Sequence, residues 1–123
     1  MLVADSSALV ALFDQDDVHH ASARREAARG RAFVVPSEIL VETLGLVRYR
    51  RGRAASLQLL EALQAMPHAR IAAMRQTIVD QAVASTRKPG PLSYQDWIVV
   101  HACRATGGQP WTFDDDIKRA VKG

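Results

Sequence analysis

Asp5, Glu42, Asp96 and Asp114 are the residues of this 123-residue chain whose types and placement could do chemistry. Each sits at the end of an apolar, strand-like run or close to the start of a helix. Asp5 ends Leu2-Val3-Ala4, and Glu42 lies one turn into a helix that follows Phe33-Val34-Val35. Asp96 opens the helix after Pro91-Leu92-Ser93, and Asp114 ends Trp111-Thr112-Phe113. In an open α/β sheet the carboxyl ends of the strands share one rim, so acids far apart in sequence can meet there. Carboxylates gathered in one cleft repel one another and stay ionised only with positive charge among them, which a hard divalent cation with oxygen ligands supplies. Metal-assisted chemistry is the first expectation.

Short β-rich runs alternate with longer helical ones, the pattern of α/β units around a central parallel sheet. A strand at about 2–5 leads into a helix at 6–13. The polar turn Asp14 to Asp17 precedes an Ala/Arg-rich helix that stops at Gly30, and a second strand covers 32–35. Pro36-Ser37 starts a helix to about Arg50, with Ser37 expected as its cap, and Gly52 separates it from a helix over 53–66. A short strand is expected within 68–73 and a helix at about 75–87, followed by the loop Lys88-Pro89-Gly90-Pro91. A helix over 93–106 ends at Gly107-Gly108, a last strand spans 109–113, and a terminal helix starts from Asp115. No linker divides the chain, so residues 1–123 are expected to form a single domain.

Taken singly, three of the acids have structural explanations. Asp5 could cap the first helix, Ser93-Tyr94-Gln95-Asp96 fits a capping box, and Asp114, Asp115 and Asp116 lie where negative charge offsets a helix dipole. Glu42 is too deep in its helix to cap it, and that helix is the most apolar of the chain. Between Ile39 and Tyr49 apolar residues point to nearly every side, so the helix should be buried all round, in part by another chain: a second copy or a partner protein.

Helix starts that attract phosphate, carboxylates for a divalent metal and arginines beyond them suit phosphodiester hydrolysis. Lys+Arg number 16 against 13 Asp+Glu, and Arg48, Arg50, Arg51 and Arg53 cluster around Tyr49, a candidate RNA contact. The chain has no apolar run of membrane-spanning length and no basic-then-apolar leader before its first strand, so a cytoplasmic protein without a membrane partner is expected. Its single cysteine, Cys103, lies among apolar neighbours and should be inert. The adjacent His19 and His20 point about 100° apart on a helix and chelate poorly together, which favours a solvated helix start. Trp97 and Trp111 are expected in the core, and His101 on a helix face. Ser6 and Ser7 lack a nucleophile-elbow setting, and no Gly-rich phosphate loop is present.

Leu2-Val3-Ala4-Asp5-Ser6-Ser7 resembles the opening of PIN-domain proteins, in particular the VapC-type toxins of bacterial toxin–antitoxin pairs. Val35-Pro36-Ser37-Glu38-Ile39-Leu40-Val41-Glu42 resembles their second motif, Leu92-Ser93-Tyr94-Gln95-Asp96 the third, and Thr112-Phe113-Asp114 the fourth. The resemblance covers the chain in the family's order, with Ser6 standing where threonine is common. It implies a three-layer PIN-like fold, with a central parallel sheet of four to five short strands flanked by helices. It also implies an endoribonuclease dependent on Mg²⁺ or Mn²⁺. On that resemblance Asp5, Glu42, Asp96 and Asp114 ligate metal, Ser7 and Thr112 orient carboxylates, and Asp116 is an outer acid. An RNA substrate, a cognate antitoxin and a toxin homodimer are the implied partners. Two other functions fit the same residues: a non-catalytic RNA- or protein-binding module, and a metal-dependent nuclease or phosphohydrolase acting on DNA or small phosphate esters.

Overall fold

The computed structural model describes residues 1–123. Four short strands, β1 (Leu2–Ala4), β2 (Phe33–Pro36), β3 (Ala69–Ala72) and β4 (Gln109–Trp111), form one sheet in the order β3-β2-β1-β4. Every neighbouring pair is parallel, with Leu2 opposite Phe33 on one side and Ala4 opposite Trp111 on the other. β1 and β2 are buried at every position, as strands covered on both faces must be, which is why they read as unbroken apolar runs. β4 is an edge strand, the place where Pro110 can stand without breaking a ladder on both sides.

Seven helices flank the sheet: α1 (Ser6–Phe13), α2 (His20–Ala28), α3 (Ser37–Arg51), α4 (Arg53–Ala65), α5 (Gln76–Thr86), α6 (Tyr94–Thr106) and α7 (Asp115–Lys122). The chain runs from β1 through β2 to β3, then crosses back past β1 to β4. Right-handed crossovers put the connecting helices of the two directions on opposite faces. The packing follows: α1 lies against α2 and α3, and α3 against α4, whereas α6 lies against α5 and α7. The reversal beside β1 creates a switch point, the standard location for a ligand cleft. Gly107 closes α6 in the left-handed conformation at φ 70°. The next residue, Gly108, brings β4 so close to β1 that a Cβ there would stand 3.1 Å from the Met1 carbonyl oxygen.

One local expectation changes. Ser37 is the first helical residue of α3 and caps nothing; its hydroxyl donates to Glu38 Oε1 at 3.2 Å, and Pro36 holds the cap position. Pro36 has no amide proton and a helix-compatible φ, so the turn out of β2 needs no hydroxyl. The cover of α3 agrees with the sequence reading, since this chain does not provide it on every side. Ile39 and Thr43 are buried against the layers beneath, but Val41 is 72% exposed and Tyr49 90% exposed. A helix resting on one sheet face and against α1, α4 and α6 still has an outer stripe that the chain cannot reach.

The core residues behave as their types dictate. Trp111 is buried and meets Phe33 edge to face at 5.0 Å. Trp97 is half-buried against the same core and stacks on His101 at 5.6 Å. His101 is buried and shares a 2.8 Å hydrogen bond with the Ser85 hydroxyl, tying α6 to α5. Cys103 is buried too, and burial pushes its thiol up to about 12, so it is inert at neutral pH.

Candidate metal centre

Asp5 leaves β1 with extended backbone (φ −99°, ψ 162°), and its side chain makes no capping bond to α1. The capping explanation is therefore wrong for this acid, because its carboxylate is engaged elsewhere. Asp5 Oδ2 accepts hydrogen bonds from Ser7 Oγ at 2.9 Å and from Thr112 Oγ1 at 2.8 Å. The two hydroxyl oxygens stand 3.2 Å apart, each with a single proton aimed at the same carboxylate oxygen. The Phe113 amide donates to Ser7 Oγ at 3.0 Å and the Asp114 amide to Thr112 Oγ1 at 3.0 Å. This network stitches the end of β4 to the end of β1. Asp5 Oδ1, in contrast, is buried with no hydrogen-bond partner. A buried carboxylate oxygen left open is costly unless something positive completes it.

Two further acids feel the Asp5 charge. Asp96 and Ser93 form a reciprocal capping box: the Ser93 amide donates to Asp96 Oδ2 at 2.8 Å, and the Asp96 amide to Ser93 Oγ at 3.2 Å. Capping and site function are thus not alternatives for Asp96, since the box uses Oδ2 only. Burial holds the Asp96 carboxyl above the usual carboxylate range; the Ser93 bonds oppose this, and the charges of Asp5 and Asp114 add to it. Glu42 on α3 is half-buried, and its carboxyl is also raised, first by burial and then by Asp5 and Asp96, with the Ser6 hydroxyl acting in the opposite direction. Asp114 caps α7, accepting from the Asp116 amide at 2.8 Å.

Asp96 thus feels the charges of Asp5 and Asp114, Glu42 those of Asp5 and Asp96, and none of the four acids has an ion-pair partner. No three of the acidic, histidine or cysteine side chains already stand close enough to enclose a common metal position. Mutual repulsion among bare carboxylates opposes such closing up. The donor set still fits a hard divalent cation: oxygen ligands throughout, one of them a buried oxygen without a partner.

The remaining candidates disperse. Asp116 forms an ion pair with Arg119 one turn along α7. Of the arginine cluster, Arg51 is tied to Asp14 at 3.0 Å and Asp16 at 3.4 Å, while Arg48 and Arg53 are exposed. Arg50 has no carboxylate partner and lines a cleft of about 270 Å³ together with Ser6, Ser7 and His19. A larger groove of about 830 Å³ lies next to it between α1, α3 and α4, sharing Val10, Leu46 and Arg50 with the cleft; neither is lined by any of the four acids, though Ser7 in the cleft bonds Asp5. The two histidines diverge as their adjacency required. His20 is half-buried and its Nδ1 lies 2.7 Å from the Ala11 carbonyl oxygen, whereas His19 is exposed and stacks flat on Phe113 with ring centres 4.2 Å apart. Neither the Arg51 clamp nor the His19 stack has a sequence signature, since each depends on how the turn after α1 folds back.

The crystal structure of Mycobacterium tuberculosis VapC20, described as a sarcin-ricin loop cleaving toxin, superposes with a TM-score of 0.84 over 98% of this chain and 95% of that one. Sequence identity is 22%, so this likeness establishes the fold. No curated protein matches the sequence significantly. The sequence pattern of the PIN domain matches residues 2–123, and the chain belongs to the PIN domain family.

Proposed function

We propose that this protein is a metal-dependent endoribonuclease, the toxin of a type II toxin–antitoxin pair of the VapC type. The observation that carries the reading is Asp5 Oδ1, a buried carboxylate oxygen without a partner, on a residue whose charge adds to the raised carboxyls of Glu42 and Asp96. Asp5, Glu42, Asp96 and Asp114 would hold Mg²⁺ or Mn²⁺, directly or through water. When bound, such an ion neutralises charge on the scissile phosphate and acidifies an attacking water.

The chain's own residues supply the rest. Ser7 and Thr112 fix Asp5 through its Oδ2, leaving Oδ1 for the cation. The capping box fixes Asp96 in the same way. The first amides of α1, α6 and α7 are close to the acids, giving a phosphate a favourable end of three helix dipoles. Asp116 would have to leave Arg119 before joining the set as an outer acid. From the family resemblance, cleavage is expected to leave a 5′-phosphate and a 3′-hydroxyl.

Two surfaces suit the partners of such a toxin. The groove between α1, α3 and α4 adjoins the cleft and offers Phe13, Val47 and Leu59 to an antitoxin segment that could reach over it. Val41 and Tyr49 on the outer stripe of α3 suit a second copy. No helix is long and apolar enough to cross a membrane. The decisive assay is RNA cleavage with Mg²⁺ or Mn²⁺, run beside EDTA and beside Asp96→Asn. Cleavage that persists undiminished in EDTA or in Asp96→Asn sinks the proposal. DNA and small phosphate esters assayed in parallel separate the RNA reading from other phosphodiester and phosphoester hydrolysis.

A further inference from the structure

The His19–Phe113 stack lies at the edge of the cleft and is not used by the chemistry above. The two rings are 4.2 Å apart at centre and 4° from parallel. Both are anchored from behind. The Phe113 amide donates to Ser7 Oγ, placing this ring in the same network that holds Asp5. The His19 amide donates to Asp17 Oδ1 at 2.8 Å, and its carbonyl accepts from Ala23 at 2.9 Å. His20 then pins the same turn to α1 through the Ala11 carbonyl. The imidazole of His19 is thus held flat, covered on one face by Phe113, and exposed otherwise.

A rigid aromatic ring stacked on one side and open on the other can accept a further flat ring. Arg50 lines the same cleft and is the arginine of the cluster there without an ion-pair partner. Asp17 also lines the cleft, next to His19, and disfavours phosphate on that side. The charge layout therefore sorts a nucleotide: phosphate toward Arg50, base toward His19.

Resting on the ribonuclease reading, we infer that His19 is a positioning residue whose open face takes one nucleobase of the substrate, in the cleft that Ser7 connects to Asp5. A base inside a duplex has both faces covered by its neighbours, so the nucleotide that His19 takes is unpaired. Every base has a π face, so His19 sets affinity and register and leaves base identity open.

The test is binding of short unstructured RNAs in the Asp96→Asn background, with one abasic nucleotide moved along the series. Loss of a stacked base weakens binding by roughly 5- to 150-fold. One abasic position should cost His19 protein that much and cost His19→Ala protein nothing. His19→Phe should restore binding of the intact RNA, and in the cleavage assay His19→Ala should raise KM with kcat little changed. Equal abasic penalties in both proteins overturn the inference, as does a His19→Phe variant as weak as His19→Ala. If RNA is bound but wild type fails to cut it, the ribonuclease reading falls while the abasic series still decides the platform. If wild type binds no RNA, both fall.

Discussion

Thr112 donates its hydroxyl to Asp5 Oδ2 across 2.8 Å, joining residues 107 positions apart and fixing which carboxylate oxygen stays open. Removing the donor while keeping the shape, as in Thr112→Val, frees Asp5 to turn. Groups that orient metal ligands are each worth about 10- to 100-fold in metal affinity or activity. Thr112→Val should lose Mg²⁺ or Mn²⁺ affinity by that order, measured calorimetrically, and Thr112→Ser should retain most of it. Unchanged affinity in Thr112→Val would mean that the hydroxyl does not serve the site.

Glu42 should destabilise the metal-free protein at neutral pH. Its native carboxyl is raised above 4.5 by burial and by Asp5 and Asp96, so the native state binds the proton more firmly than the unfolded chain does. The favourable contribution is then complete at low pH and is lost as pH rises through the raised native value. Glu42→Gln removes the charge and should raise the melting temperature at neutral pH in EDTA, with the advantage vanishing below about pH 4. The same variant should show a smaller thermal shift with Mg²⁺ than wild type does. A Glu42→Gln protein less stable than wild type in EDTA contradicts this account.

Ser93 serves two purposes at once. Its hydroxyl caps α6 and its amide holds Asp96 Oδ2. Ser93→Ala should cost about 1 kcal/mol in denaturant unfolding, the usual worth of an N-cap. It should also weaken metal binding, because half of the reciprocal box that positions Asp96 is gone. Ser93→Thr should preserve both properties. A stability loss with metal affinity unaltered would separate the cap from the site.

His101 should give a stability limb of the opposite sign. Burial, aided by the Arg104 charge, holds the imidazole below its usual 6.5. The unfolded chain therefore takes up the proton first, and stability present above about pH 6.5 is lost as pH falls toward the native value. Melting temperature followed from about pH 7.5 to pH 5 should fall more steeply for wild type than for His101→Gln. Parallel curves would show that His101 does not titrate in this way.

The order of elements was readable from the chain because each depends on neighbours within a turn or two. Leu2-Val3-Ala4 and Phe33-Val34-Val35 are strands covered on both faces, and Ser93 with Asp96 spells a capping box that the structure contains. The short strand Ala69–Ala72 was harder to read, and it proves to be a sheet edge with Arg70 and Ile71 exposed. Ser37 misled because a hydroxyl after proline resembles a cap, although Pro36 makes the turn unaided. The apolar stretch of α3 was read correctly as more than this chain covers, since Val41 and Tyr49 are left exposed.

By itself, then, the sequence determined the α/β alternation, the helix starts and the placement of four candidate acids at strand ends and helix starts, all of which are written in local periodicity and residue type. Tertiary structure alone decided what those acids face. Strand order β3-β2-β1-β4 and the register of Ala4 with Trp111 bring Thr112 onto Asp5, leave Oδ1 without a partner, and lay His19 on Phe113. These contacts join residues about a hundred positions apart, and no local pattern encodes them. They arise because a parallel sheet requires long crossovers, and the crossovers return every strand end to the same rim.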